Sequence, residues 1–278
     1  MPSPLRAARR LARRTLDVAE SGIGRIVDAF RRGDRVLLDA PPAGMRVGNL
    51  LYLWLQAHLR RSSGSDVVVR ESQGMADWWA EFPALRPLTA QAQEVRFSDR
   101  REWDGDWLYQ RFGVDYSRDQ LHAFIRDVFA DRVGSVREER LVVNVRRGDF
   151  YGTEFEPKHG FDIESYLEEA LQRIPPVTGA LIVSDDAAWC RENLDRMVRH
   201  SVGEVEYATP DALQNLLVLA RARTLIGANS TFSYWGAYVA DALHDDVCIV
   251  MPRFHARMAQ QSDAFQLDPG WTALDGFH

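Results

Sequence analysis

Two adjacent arginines, Arg146 and Arg147, follow an apolar run and stand close to the carboxylates of Asp149 and Glu154. A guanidinium group is planar and always charged, and it can bind phosphate oxygens through two parallel hydrogen bonds. The pair therefore indicates a site for a diphosphate. The alternative is an ion-paired cluster on the surface, but a position directly after a predicted strand favours a site.

A second group of polar residues ends one predicted strand and begins the next predicted helix. Its members are Asn229, Ser230, Thr231 and Ser233. The free N–H groups of a first helical turn and the positive end of the helix dipole attract anions, and small hydroxyl side chains add donors. The group favours a phosphate site, although simple N-capping would use the same residues.

Two more strand ends carry candidate residues. Asp185 and Asp186 end a predicted strand, where an acid could bind a ribose hydroxyl or a base N–H group, and we expect one of the two to cap the next helix. Gly48 and Asn49 lie at the first strand–helix turn, where glycine allows close approach of the backbone to a ligand. An ordinary loop glycine is the alternative there.

The elements that would position these residues alternate between strand and helix. Apolar and β-branched runs predict strands at 34–42, 66–72, 140–149, 179–186, 205–209, 224–230 and 246–252, and residues 146–149 form a polar exit from the third of them. Helical spacing predicts helices within 43–61 and at 117–133, 162–174, 187–200, 211–222, 231–243 and 254–265. The segment 73–115, rich in tryptophan and proline, supports no assignment beyond loops and short helices.

This alternation predicts an α/β protein with two Rossmann-like domains that face each other across a cleft. We predict an N-terminal helical extension at 1–33, an N-terminal α/β domain at 34–135 and a C-terminal α/β domain at 136–278. Ligands of such sheets bind outside the carboxyl ends of the strands, which is where all the candidate residues lie.

Composition narrows the class of protein. The chain has 278 residues, 46% of them hydrophobic, and a net charge of -6, which is typical of a globular protein and does not favour nucleic acid as a partner. The sequence lacks the spacings of zinc sites, P-loops and dinucleotide-binding loops, so no metal is expected. Two cysteines without a CxxC spacing fit a reducing, cytoplasmic location.

The first 30 residues are basic and amphipathic. Five arginines precede the first acid, Asp17, and leucine and isoleucine recur at roughly helical spacing. The simpler interpretation is a pair of helices packed on the domain with a solvated basic face. The alternative is a helix that rests on an anionic membrane, which would make the protein peripheral at the inner face of the membrane.

Three motifs taken together resemble those of the α-1,2-fucosyltransferase family and, more distantly, of the α-1,6- and protein O-fucosyltransferases. They are VNVRRGD at 143–149, LIVSDDAAWC at 181–190 and IGANSTFSYWGAYV at 226–239. RVGNLLY at 46–52 is similar to the family's N-terminal G-N signature, and HGFDIESYLEEAL at 159–171 is similar to the segment after its arginine motif.

The resemblance implies a GT-B fold, GDP-β-L-fucose as donor, inversion at the anomeric carbon and no metal or other cofactor. It assigns the β-phosphate to Arg146, with Arg147 in support, the diphosphate turn to Ser230, Thr231 and Ser233, and the nucleoside to Asp185 or Asp186. It implies Glu154 as the general base, and we expect Asp149 to orient the arginines. The partners implied are a GDP-sugar donor and a glycan or glycolipid acceptor on the side of the N-terminal domain.

One residue departs from the family pattern. Asn144 stands where the family usually has histidine before the arginine pair. Asparagine cannot titrate, so the affinity for the nucleotide or the choice of donor could differ. Two other functions therefore stay open: a GT-B transferase that uses another nucleotide sugar, and a non-catalytic protein that binds a sugar or nucleotide. The acceptor is not identified; Trp78, Trp79, Trp103 and Trp107 could stack on a sugar ring or fill the core.

Overall fold

The structure is a computed structural model that describes residues 31–39, 46–102, 110–257 and 264–277. The predicted extension at 1–33 lies almost wholly outside the described residues, as do Trp103 and Trp107. Within the described ranges, none of the helices is both long and apolar enough to span a membrane.

The N-terminal half is a small parallel sheet with helices. Its strands are β1 (Val36–Leu38), β2 (Val67–Arg70), β3 (Thr89–Ala90) and β4 (Arg100–Glu102), and its helices are α1 (Val47–Ser62), α2 (Met75–Glu81) and α3 (Arg118–Val133). The strand order is β3-β2-β1-β4, and every pair is parallel. The order reverses direction between β1 and β4, so the carboxyl end of β1 lies at a switch point of the sheet.

The C-terminal half is a larger parallel sheet. Its strands are β5 (Glu138–Val145), β6 (Ala180–Ser184), β7 (Val205–Tyr207), β8 (Ala222–Ile226), β9 (Cys248–Pro252) and β10 (Thr272–Leu274). Its helices are α4 (Glu156–His159), α5 (Ile163–Leu171), α6 (Ala187–Asn193), α7 (Asp195–Val202), α8 (Ala212–Arg221) and α9 (Thr231–Leu243).

The order of this second sheet is β10-β9-β8-β5-β6-β7, again with every pair parallel. If the six strands are renumbered 1 to 6 from β5 to β10, the order read from the β7 edge is 3-2-1-4-5-6. This is the strand order of doubly wound sheets. The switch point lies between β5 and β8. The arginine pair follows β5 and the serine-rich turn follows β8, so the topology brings the two motifs to one crevice.

Helices from both halves form a shared layer between the two sheets. Helix α9 packs against α1, α3 and α8, and its Trp235 is fully buried beside Tyr52 of α1, with ring centroids 5.1 Å apart. Tyr238, one turn further along α9, shares a 3.0 Å hydrogen bond between hydroxyl groups with Tyr116. Because buried aromatic rings of one half pack directly on the other, the cleft has a fixed floor.

The predicted α/β architecture of GT-B type, with two parallel sheets and a cleft between them, is confirmed by this topology. The boundaries predicted at 33 and 135 stay predictions. The helix predicted at 187–200 is two helices, α6 and α7. They meet at Leu194, where the side chain of Asn193 donates to the carbonyl of Trp189 at 2.8 Å, a local hydrogen bond that competes with the helix.

Three short strands were not predicted: β3, β4 and β10. Each has two or three residues, which is too short for a periodic pattern. The last helix predicted, 254–265, is not helical at 254–257 or 264–265, and its remaining residues lie outside the described ranges. Strand β8 begins at Ala222, directly after α8, where the helix was predicted to continue.

Candidate active site

A cavity of about 580 Å³ opens at the carboxyl ends of β5, β6 and β8 and is closed on its other side by the beginning of α1. Eight of the residues predicted for the site line it: Gly48, Asn49, Asn144, Arg146, Asp149, Asp185, Ser230 and Thr231. They come from four separate segments of the chain and from both halves. A cavity with this lining can accept an anionic ligand that spans the cleft.

Arg146 is the centre of the charge network in this cavity. Its guanidinium forms ion pairs with Asp149 and Asp185, and its side chain is only 14% exposed. The guanidinium also lies 5.2 Å from the ring centroid of Phe150. Two carboxylates and an aromatic face hold the planar guanidinium in one orientation. This lowers the conformational entropy that the side chain loses when it binds an anionic ligand.

Asp149 connects the two halves of the molecule. One carboxylate oxygen pairs with Arg146, and the other lies 3.3 Å from a guanidinium nitrogen of Arg46, the residue that precedes α1. Arg46 is the more exposed of the two arginines, at 58% of its side chain. The cavity therefore holds two guanidinium groups, one from each half, on either side of a single carboxylate.

Arg147 does not line the cavity. Its guanidinium is packed 3.9 Å from the ring centroid of Trp189 and 4.5 Å from that of Tyr151, and its Nε donates to Asp186 at 3.2 Å. Its backbone N–H donates to Asp185 at 2.8 Å. Arg147 thus fixes the turn after β5 and the carboxylate that orients Arg146, instead of facing a ligand.

The two candidate acids after β6 have different positions. Asp185 lines the cavity, whereas Asp186 caps α6 by accepting the N–H group of Trp189 at 3.1 Å, which confirms that one of the pair is a cap. Gly148 packs against Asp185: a Cβ atom there would lie 2.4 Å from the carboxylate. Glycine is therefore required for the arginine turn and the acid to approach each other.

The beginnings of α1 and α9 meet in the cavity. Ser230 caps α9 by accepting the N–H group of Ser233 at 3.2 Å, and Thr231 is the first residue of that helix. A Cβ atom on Gly48 would lie 2.4 Å from Oγ1 of Thr231 and 2.7 Å from the backbone nitrogen of Phe232. Two helices of 16 and 13 residues therefore direct their positive ends at the same space, which favours a negatively charged ligand.

Two members of the serine-rich turn face the interior instead. Ser233 is fully buried, and its hydroxyl oxygen accepts the N–H group of Ala228 at 2.8 Å. Asn229 is also fully buried, and its side-chain nitrogen donates to the carbonyl of His159 at 2.8 Å and to that of His255 at 3.3 Å. Both residues hold the turn and its neighbours in place, and neither is in the cavity lining.

Asn144 forms part of the cavity floor with a defined amide orientation. Its nitrogen donates to the carbonyl of Val183 at 2.9 Å, and since that carbonyl can only accept, the amide oxygen must lie on the other side. This oxygen is buried and has no hydrogen-bond partner among the described residues. Asn215, also largely buried, lines the same cavity.

Two histidines complete the wall of the cavity, His159 and His255. His255 is 5% exposed, and burial, together with the charges of His159 and Lys158, lowers its pKa to about 3. Its Nδ1 lies 3.2 Å from the hydroxyl oxygen of Tyr234. Burial also lowers the pKa of His159, so both rings are neutral near pH 7.

Glu154, the predicted general base, is exposed and is not among the described residues that line the cavity. Its assignment stays a prediction without a contact to support it.

In the described ranges, no cluster of three or more histidine, cysteine, aspartate or glutamate side chains could bind a metal ion. Both cysteines are free, and Cys190 is buried, which raises the pKa of its thiol to about 11.

The lining residues that the predicted site did not include are Arg46, Phe150, His159 and His255, among others. Arg46 had a signal, because it stands two residues before Gly48 in a turn already chosen as a candidate. His159 begins the family-like segment HGFDIESYLEEAL, but the resemblance gave it no role, and His255, 96 positions further along, belongs to no recognisable motif. Trp78, from the tryptophan-rich segment, also lines the cavity, and it stacks on Phe82 with centroids 6.2 Å apart.

The fold and the cavity define an α/β protein with a cleft suited to an anionic ligand. The model of glycosyl transferase family 11 matches residues 108–275, and the chain belongs to this family. This confirms the resemblance seen in the sequence motifs, since relatives of the chain include α-1,2-fucosyltransferases.

Two relatives each match less than half of the chain. The O-antigen biosynthesis glycosyltransferase WbnK of Escherichia coli is 30% identical over 118 residues, which is 40% of this chain and 37% of WbnK. Galactoside alpha-(1,2)-fucosyltransferase 2 of Oryctolagus cuniculus is 31% identical over 134 residues, 45% of this chain and 36% of the relative. The matched region thus spans little more than a third of either relative.

Among solved structures, the chain is similar to the E. coli heptosyltransferase WaaC with ADP-2-deoxy-2-fluoro heptose. The TM-score is 0.47 and the identity 10%, with coverage of 86% of this chain and 92% of WaaC.

Proposed function

We propose that this protein transfers L-fucose from GDP-β-L-fucose to a hydroxyl group of a glycan, with inversion at the anomeric carbon and an α-1,2 linkage to galactose. The observation that carries the proposal is the meeting of Arg146 with the beginnings of α1 and α9 in one cavity. Membership of glycosyl transferase family 11 and the similarity to galactoside alpha-(1,2)-fucosyltransferase 2 support the choice of sugar.

The leaving group of such a transfer is GDP, whose β-phosphate gains negative charge as the bond to the sugar breaks. Arg146 is oriented by Asp149 and Asp185, and the first-turn N–H groups of α9 lie in the same cavity. Charged donors that are already in position stabilise the developing charge without reorganisation. We propose that these groups neutralise the diphosphate without a metal ion.

The nucleoside is assigned to the part of the cavity beyond Arg146. Asp185 lines this part, and Asn144, Val183 and Asn215 form its floor and wall. An acid beside the phosphate site is suited to a ribose hydroxyl or a base N–H group. The acceptor is assigned to the opposite side, where Trp78 and Arg46 of the N-terminal half lie, because an aromatic ring can stack on the apolar face of a sugar.

Binding and transfer assays test the proposal directly. In a thermal-shift assay with GDP, UDP and dTDP, GDP should raise the melting temperature of the protein most. Purified protein given GDP-fucose and β-galactosides should then form a fucosylated product whose linkage NMR identifies, with the rate unchanged by EDTA. A preference for UDP or dTDP would overturn the donor assignment, and a loss of activity in EDTA would overturn the metal-independent mechanism.

A second donor is favoured by one observation: Asn144 replaces the usual histidine of the family and leaves a buried amide oxygen without a partner among the described residues. A transferase for another GDP-hexose would fit this change. Competition of GDP-fucose with GDP-mannose for the same preparation separates the two donors. A protein that binds GDP but neither transfers nor hydrolyses any donor would instead be a non-catalytic binder.

The proposed setting is the cytoplasm, with peripheral contact to the membrane through residues 1–30 as an additional proposal. A liposome sedimentation assay that compares the full chain with a version lacking these residues tests it. Equal sedimentation of the two on anionic vesicles would overturn the membrane contact and leave the transferase proposal unaffected.

A further inference from the structure

The orientation of the His159 ring is determined by its neighbours. Its Nδ1 lies 3.3 Å from the backbone carbonyl oxygen of His255. A carbonyl oxygen can only accept, so Nδ1 carries the hydrogen and Nε2 keeps its lone pair when the ring is neutral. No hydrogen bond to Nε2 is formed by the residues that the structure describes. The ring therefore presents an unused basic nitrogen on the edge away from His255.

The ring is also held in place from its flat side. Phe150, which follows the arginine turn, stacks on His159 with centroids 4.3 Å apart and planes 10° from parallel. The backbone is fixed as well, because Asn229 donates to the carbonyls of both histidines and Arg257 donates to the carbonyl of Gly160 at 2.7 Å. Asn229 thus connects the serine-rich turn to the loop that carries His159. A catalytic group needs this kind of support.

Charged groups from several elements face this ring. Burial, Lys158 beside it and Arg146 from the turn after β5 all lower the pKa of His159. The contact with the His255 carbonyl and the negative charge of Asp149 raise it. The ring is neutral before the reaction, and Asp149 is placed to stabilise the cation that forms when the ring takes up a proton.

His159 and Arg146 line the same cavity. Glu154 is exposed and is not among the described residues that line this cavity. A general base must reach the hydroxyl group that attacks the sugar, and that hydroxyl group must lie close to the anomeric carbon next to the diphosphate. Of the two side chains, only that of His159 lines the cavity that also contains Arg146.

We propose that His159 is the general base of the transfer reaction. This inference rests on the proposed function and assigns the proton transfer within it. The acceptor oxygen forms a bond to the anomeric carbon of the sugar while the bond from that carbon to the β-phosphate oxygen breaks. The electron pair of the broken bond leaves with GDP. The proton of the acceptor hydroxyl passes to Nε2 of His159, and the imidazolium returns it to solvent after the products leave.

The test uses the full chain and measures transfer from GDP-fucose at saturating donor and acceptor. His159→Gln keeps a side chain of similar reach with an amide that can still donate to the His255 carbonyl, but it cannot take up a proton. We expect kcat to fall about 100-fold, within the range for loss of a general base. We expect the Kd for GDP, measured by calorimetry, to change by less than about threefold, since the diphosphate groups stay in place.

Two further readouts separate catalysis from a purely structural role. The wild-type rate should decrease at acid pH as the ring becomes protonated, and this limb should disappear in His159→Gln. In His159→Ala, added imidazole should restore part of the rate, because it can occupy the space of the missing ring. His200→Gln serves as the matched control, since His200 is exposed on α7, outside the described lining.

The outcomes are distinguishable. If the wild-type protein neither binds GDP nor transfers fucose, the proposed function is wrong and the base assignment falls with it. If the wild type transfers fucose while His159→Gln keeps kcat within about threefold, only the base assignment is overturned. The same conclusion would follow if Glu154→Gln abolished transfer and His159→Gln did not, or if imidazole gave no rescue of His159→Ala.

Discussion

Replacement of Arg146 by alanine tests the charge network most directly. The guanidinium forms ion pairs with Asp149 and Asp185 and is only 14% exposed. Its removal takes away the cation proposed for the β-phosphate and leaves two carboxylates without it in the same cavity. A hydrogen bond to a charged group contributes roughly 1.5–3 kcal/mol, so the loss of one such bond in the transition state lowers the rate about 10- to 150-fold.

Repulsion between the two carboxylates and the incoming diphosphate adds to this loss. We therefore expect kcat/KM for GDP-fucose to fall by about 100-fold in Arg146→Ala, with a smaller fall in Arg146→Lys. Lysine keeps the charge, but its ammonium is a point charge that cannot reproduce the planar fork held between Asp149 and Asp185. The measurement is the initial rate of radiolabelled fucose transfer at donor concentrations well below KM.

Arg140 provides a matched control on the same strand. It lies near the start of β5, far from the carboxyl end of the strand, and it also bridges two carboxylates, Glu138 and Glu206, at 2.7 and 2.8 Å. Arg140→Ala removes a comparable ion-pair network without touching the cavity, so its kcat/KM should stay within about twofold of wild type. Transfer by Arg146→Ala within about threefold of wild type would refute the role of Arg146 in stabilising the leaving group.

Three further changes test other parts of the site. Gly48→Ala should lower the melting temperature by several degrees, about 2–4 °C per kcal/mol, and weaken GDP binding, because its Cβ atom would lie 2.4 Å from Thr231; differential scanning fluorimetry and calorimetry measure both. Trp78→Phe should raise KM for the acceptor about two- to tenfold and leave GDP affinity unchanged, since it shortens an aromatic surface of the cavity wall; steady-state kinetics decide. The pKa of His255 is lowered to about 3, so the wild type should lose stability as pH falls below 6.5. For one proton, the loss is at most about 1.4 kcal/mol per pH unit. His255→Gln should reduce this slope, which urea titrations at several pH values measure.

The sign of the last effect follows from proton uptake. A histidine whose pKa is lowered in the folded protein binds its proton first in the unfolded chain, so acid favours unfolding between the unfolded value and the folded one. The stability contribution is fully present above pH 6.5 and decreases towards pH 3. An identical pH slope in wild type and His255→Gln would contradict the lowered pKa. Unchanged melting in Gly48→Ala, or unchanged acceptor KM in Trp78→Phe, would contradict the other two contacts.

Much of the architecture could be predicted because long apolar strands and amphipathic helices carry their own periodicity. The strand that ends at Val145 and the helix that begins at Thr231 were both predicted close to their observed bounds. Strands β3, β4 and β10 could not be predicted, since their pairing with a neighbour defines them and not their composition.

Within the site, residue types alone did not decide which side chains face the cavity. Arg146 and Arg147 are adjacent and chemically identical, but one lines the cavity and the other packs between Trp189 and Tyr151. Ser230 and Ser233 also differ: Ser230 caps α9 and lines the cavity, whereas Ser233 is fully buried and its hydroxyl oxygen accepts the N–H group of Ala228. Adjacent residues diverge in this manner because side-chain direction depends on the backbone and on packing partners.

By itself, the sequence determined the kind of chemistry and the order of the elements that carry it: an arginine turn after one strand, a hydroxyl turn after another, and glycine before a helix. These are local properties, set by residue type and by the short-range geometry of strands and helices. Only the tertiary structure decided that Arg46 meets Asp149 and that His159 rests on the carbonyl of His255. The contacts depend on how the two sheets and the shared helical layer pack, which no short-range pattern along the chain encodes.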